Sequence, residues 1–163
     1  MRTHSLVTVA SCGGALLYAL TKIDLAVRGE LGMPGFPAPA ADYRVYDATS
    51  GQLSNAVMGL VFAGVVAALL RPPARRPLAW VLIGLSGVGA AFIGAGFVGF
   101  GLRAAGLFGA PTTPAAWVTV AVGLAWCAVW VASTVGAARI TLSNAKRNRV
   151  SAGSTAKLEA GHG

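Results

Sequence analysis

Three ionisable residues, Lys22, Asp24 and Arg28, stand together near the C-terminal end of the first apolar stretch of this chain. Asp24 and Arg28 are spaced i,i+4, so on a helix they can pair on one face. Tyr18 stands one turn before Lys22. Ionisable groups at membrane depth are functional candidates by default, as parts of a proton or ion relay. These three lie near the end of their stretch, where Lys and Arg can snorkel toward the surface. The reading favoured is a structural anchor, an outer-face polar cluster.

Other chemistry is sparse. His4 and His162 are the only histidines and stand near opposite ends of the sequence, which argues against haem ligation in the bilayer and against a His-based zinc site. The apolar stretches hold no paired acids, and no serine–histidine–acid set can be assembled from them. The many glycines form no phosphate-binding loop. An enzyme is disfavoured and no cofactor or metal is expected. Cys12 and Cys127 stand singly and read as small apolar filler. Val9-Ala10-Ser11-Cys12 resembles a lipoprotein lipobox, but the apolar run before it is short against the roughly 7–15 residues of a signal core. A retained first span is expected instead.

The elements that must position these residues are four long apolar stretches, at 5–27, 53–70, 78–102 and 115–138. Each approximates the roughly 20 residues that a helix needs to cross a bilayer. The 163 residues are 55% hydrophobic and 11% charged, with a mean hydropathy of +0.67. Soluble domains carry about twice that charge. The expected fold is an all-α integral membrane bundle of four helices within residues 1–150, followed by a disordered cytoplasmic tail at 151–163.

The net charge is +8. In a soluble chain that would point to nucleic acid. Here the basic residues gather beside the spans, where they meet anionic head groups, and no stacking aromatics interleave them. Arg2, Arg71, Arg75, Arg76, Arg139, Lys146, Arg147, Arg149 and Lys157 fall on one side of the spans. Lys22, Arg28, Arg44 and Arg103 fall on the other. The positive-inside rule makes the first side cytoplasmic, with both termini inside. Arg71, Arg75, Arg76, Arg139, Lys146, Arg147 and Arg149 are read as a basic surface for lipid.

The cytoplasmic turn between the second and third spans is short and proline-rich, which predicts a close antiparallel hairpin. The outer loop at 28–52 is longer, with Pro34, Pro37, Pro39 and three aromatics. It reads as a lid over the bundle and as the best place for an external site. Thr49-Ser50-Gly51-Gln52 reads as a capping box for the second span, and Thr113-Pro114 as the start of the fourth.

Lipid tails are as apolar as leucine, so inserted helices associate by close packing at small residues. Gly84, Gly87, Ala91, Gly94 and Ala95 form one stripe on the third span, and Gly89 and Gly96 lie near its opposite side. This predicts a central third helix. Gly59, Ala63 and Ala67 on the second span, and Ala128, Ala132 and Gly136 on the fourth, are the expected partner rows. Trp126 and Trp130 read as packing or anchoring groups.

The function expected is a non-catalytic accessory or scaffold subunit of a membrane complex. Its partners would be membrane lipids and another membrane protein or a second copy, with no nucleic acid. The alternatives are an oligomeric small transporter or channel using Lys22, Asp24 and Arg28, and a membrane-bound lipid-modifying enzyme. The Arg-over-Lys bias and abundant Ala and Gly point to a bacterial plasma membrane.

Overall fold

The computed structural model describes residues 2–40, 42–107 and 113–160, with side chains described as far as Arg147. Four helices dominate: α1 (Arg2–Arg28), α2 (Ala48–Ala68), α3 (Arg76–Ala104) and α4 (Pro114–Ala160). All four are long and apolar enough to cross a membrane. Two two-residue strands, β1 (Gly32–Met33) and β2 (Phe36–Pro37), pair antiparallel in the α1–α2 connection, and a 3-10 turn follows at Asp42–Arg44.

The starts and stops follow local chemistry. Gly29 ends α1 with φ +66. Its N–H bonds Ala26 O, and Glu30 N–H bonds Leu25 O, which is the Schellman pattern that a left-handed glycine permits. The cap of α2 lies earlier than the expected capping box. Asp47 accepts from Ser50 N at 2.7 Å, so the helix starts at Ala48. Gln52 does not reach back to the cap, because it is drawn inward. Thr113 Oγ1 accepts from Ala116 N at 3.1 Å, with Pro114 in the first helical position. α4 is 47 residues long, about 70 Å, far more than a bilayer of about 30 Å requires. Its backbone stays helical to Ala160, across part of the region expected to be a disordered tail; residues 161–163 lie outside the described residues.

The helices form a ring in which neighbours are α1–α2, α2–α3, α3–α4 and α4–α1. The α1–α2 contact is the most extensive and the α2–α3 contact the least. The third helix is therefore not central, and the expected tight α2–α3 hairpin is splayed. Phe62 explains the splay. Its ring lies between the two helices, against Gly89, where a β-carbon would collide with it.

The packing face of α3 also differs from expectation. Ala79, Ile83, Ser86, Gly89, Ala90 and Phe97 are buried. Gly84, Ala91 and Ala95 face outward, and Gly87 and Gly94 lie at the margin. A β-carbon on Gly84 or Gly87 would meet nothing within 4 Å, and one on Gly94 would only touch Cys127 Sγ at 3.9 Å. On α2, Gly59 does pack tightly, but against Tyr18 and Ala19 of α1 rather than α3. On α4, Ala128 and Ala132 face outward, and Gly136 packs on His4.

An aromatic column fills the interior. Trp126 and Trp130 stack at 5.4 Å, with Tyr18 stacked on Trp126, Phe97 edge-on to Trp126 and Phe62 edge-on to Trp130. Hydroxyls tie the helices across it. Trp130 Nε1 donates to Ser86 Oγ at 2.9 Å, Ser86 and Thr134 hydroxyls lie 2.8 Å apart, and Thr134 Oγ1 donates to Trp130 O. Because the Thr134 hydrogen is committed to Trp130 O, Ser86 donates to Thr134, and the three bonds close a ring between α3 and α4. Thr8 donates to His4 O, so Ser133 donates to Thr8 across the α1–α4 contact. Such interhelical bonds act as glue where no water competes.

Candidate functional site

The buried face of α1 is Thr8, Ser11, Ala15, Ala19, Lys22 and Ala26, a row repeating every three or four residues. Lys22 belongs to it. Only 5% of Lys22 is exposed. Its Nζ donates to Gly32 O at 2.8 Å and lies 5.6 Å from the centroid of the Tyr18 ring. Asp24 and Arg28 point away and form an exposed ion pair at 2.8 Å. The structure thus divides the three-residue cluster read from the sequence: a surface pair outside and a lone cation inside. The reason is helical phase, since two residues at about 100° each put Asp24 nearly opposite Lys22. Among the described residues, no carboxylate lies within ion-pair distance of Lys22.

The connecting segment folds back over this cation. Gly32 O accepts from Lys22 of α1 and from Gln52 Nε2 of α2, and Gln52 also donates to Glu30 O at 2.9 Å. Gln52 is 2% exposed, and its Oε1 has no hydrogen-bond partner. Thr119 of α4 donates to Pro34 O at 2.8 Å, and Arg103 of α3 reaches Pro37 O at 3.4 Å. Phe36 is buried among Ala104, Ala116 and Val120 with Phe100 beside it. The hairpin is therefore a lid bonded to all four helices. Its turn depends on Gly35, with φ +79, whose α-carbon comes so close to Ala115 and Ala116 that no β-carbon would fit.

Beneath the lid, between α1 and α4, lies a cavity of about 250 Å³. Lys22, Thr21 and Thr119 line one end with Met33 and Pro34 above them, and Gly14, Gly123 and Trp126 line the other. Leu17, Val118 and Val122 border it and are exposed, so it opens sideways. The threonine hydroxyls are already committed, Thr21 to Leu17 O and Thr119 to Pro34 O. Lys22 Nζ, with three N–H donors and Gly32 O as its hydrogen-bond acceptor, is the cation placed to engage something in the cavity, with Tyr18 beside it on the lining.

At the opposite end of the bundle, Arg71, Arg75, Arg76, Arg139, Lys146 and Arg147 are all exposed; the side chain of Arg149 lies outside the described residues. His4 Nε2 lies 3.0 Å from Leu69 O and joins the start of α1 to the end of α2. Cys12 and Cys127 are free thiols. Among the described residues, no group of three or more His, Cys, Asp or Glu side chains could hold a metal ion.

Several residues of this site were missed in the sequence: the inward aim of Lys22, the anchor Gln52, and Thr119. One signal was there to be read. Lys22 follows Thr8 and Ala15 at seven-residue intervals, which puts it on the small-residue face of α1. No known family model, curated protein or solved structure matches this chain.

Proposed function

We propose that this chain is a non-catalytic multi-pass membrane protein, an accessory or scaffold subunit that works through an uncovered helix face. The observation that carries this is the outward stripe of Gly84, Ala91 and Ala95 on α3, with Gly87 at its margin and open space where the β-carbons of Gly84 and Gly87 would lie. Each glycine costs a helix about 1 kcal/mol relative to alanine, and nothing among the described residues uses the approach that these glycines permit. Small residues at four-residue spacing allow a second helix to come close. The transporter reading has less support. The bundle axis is filled by the Trp126–Trp130 column, and Lys22 is turned away from Asp24 and Arg28. The basic tail end favours an orientation with both termini in the cytoplasm and the lid outside, and the composition favours a bacterial plasma membrane.

The test is proximity in native membranes. Gly84→Leu and Ala91→Leu add bulk on the bare face and should leave the melting temperature of the purified chain within a few degrees of wild type. A cysteine placed at Val88 should cross-link to a partner or to a second copy, and the leucine variants should abolish the cross-linked species. A chain that shows no cross-linked species, and that purifies alone in mild detergent, would refute the proposal.

A further inference from the structure

We propose that the cavity between α1 and α4 binds one anionic phospholipid from the surrounding bilayer, its phosphate on Lys22 and part of one acyl chain along the groove toward Trp126. The inference rests on four features. The first is the buried cation. Lys22 stands 5% exposed with no carboxylate in reach among the described residues. A buried charge is costly unless paired and hydrogen-bonded, and its N–H groups not bonded to Gly32 O are free to meet an anion at the cavity's polar end.

The second is polarity. The cavity runs from Lys22 beneath the lid to Gly14, Gly123 and Trp126 deeper in the bundle. Lys22 and Gly14 are eight residues apart on α1, about 12 Å along its axis. A head group at the lid end and a chain pointing toward the membrane midplane match the way a phospholipid already lies in its leaflet. The third is access. The cavity opens between Leu17, Val118 and Val122, which face out from the bundle. The hairpin, through Met33 and Pro34, covers its lid end. A lipid enters by sliding sideways, whereas a free phosphate ion would have to cross apolar surface. The fourth is size: about 250 Å³ takes a segment of one chain and leaves the rest of the lipid in the bilayer. This site is independent of the bare α3 face, which lies on another helix.

Native mass spectrometry of the purified full chain in mild detergent tests this. The probes are phosphatidylglycerol and phosphatidylcholine with identical acyl chains, and inorganic phosphate alone. The expected result is one phosphatidylglycerol retained per chain, about tenfold more tightly than phosphatidylcholine, whose quaternary ammonium beside the same phosphate repels the buried Lys22 cation, and no retention of phosphate. Lys22→Gln should erase the preference. Arg28→Gln removes an exposed cation at the same end and should preserve it. Val122→Phe, at an outward position bordering the groove, should abolish retention while the protein still melts as wild type.

Equal retention of the two lipids by the wild type would overturn the proposal. So would a preference that survives Lys22→Gln, or one that Arg28→Gln removes just as completely, since that would be surface attraction. Because Lys22 also holds the lid, its variant could fail to fold. Val122→Phe then decides, and unchanged phosphatidylglycerol retention in that variant refutes the site.

Discussion

Gly35→Ala is the sharpest probe of the lid. Gly29 and Gly35 both have positive φ, +66 and +79. An alanine at either position costs about 1–2 kcal/mol for the left-handed conformation. They differ in surroundings. A β-carbon at Gly29 meets nothing within 4 Å, whereas one at Gly35 runs into the backbone of Ala115 and Ala116. Backbone at a helix start cannot move aside, so the hairpin must lift. Lifting loses the Thr119–Pro34 bond, worth about 1 kcal/mol. It also loosens Phe36, whose full burial is worth about 1.5–3 kcal/mol. Gly35→Ala should therefore destabilise the lid by about 2–4 kcal/mol more than Gly29→Ala. The assay is hydrogen exchange at the Ala38 amide, which bonds Leu31 O at 3.2 Å across the hairpin. Opening by that amount accelerates exchange about 30- to 1,000-fold beyond the Gly29→Ala control. Equal acceleration in the two variants would refute the close seating of the turn on α4.

Two further outcomes are expected. Ser86→Ala breaks the hydroxyl ring and leaves Trp130 Nε1 buried without an acceptor, at a cost of about 1–2 kcal/mol. In a Trp130→Phe background the same change should cost about 1 kcal/mol less, measured by reversible unfolding in mixed micelles; identical costs would show that the ring contributes nothing. The Asp47 carboxyl is held below its ordinary value of 3.8, first by the bond from the Ser50 backbone amide and then by the Ser50 side chain. A lowered folded value means that this cap stabilises α2 fully above the unfolded carboxylate value and loses that effect as pH falls through the folded one. The melting-temperature difference between wild type and Asp47→Ala should then be flat above about pH 5 and shrink as pH falls below the ordinary carboxyl value of 3.8; a difference independent of pH down to about pH 2 would rule out the ionised cap.

Four helices of crossing length were legible in the chain, because length and hydropathy are local properties that each segment carries alone. The start of α4 at Thr113-Pro114 was legible for the same reason. The start of α2 was misplaced: Asp47 supplies the oxygen that Ser50 N needs, and Gln52, suited to close a capping box, is committed to Glu30 and Gly32 instead. The lid was legible as a long, proline-rich segment, but its bonds to four helices depend on residues far apart in sequence, such as Pro34 with Thr119.

Which face of each helix turns inward was decided by tertiary structure. In water, polar residues mark the outer face of a helix. In lipid the exterior is as apolar as the core, and α3 carries apolar residues on every side, so composition does not mark its inner surface. The glycine stripe of α3 was placed inside on small-residue content alone. The structure instead buries Ser86, where Trp130 and Thr134 offer bonds that lipid cannot, and leaves Gly84 and Ala91 facing out. Lys22 shows the same division of labour. Its charge at the end of a span was plain from the residues, and helical phase alone sets it nearly opposite Asp24, but its burial came only when α1 packed against α2 and α4 and the Gly32 carbonyl was folded back to meet it.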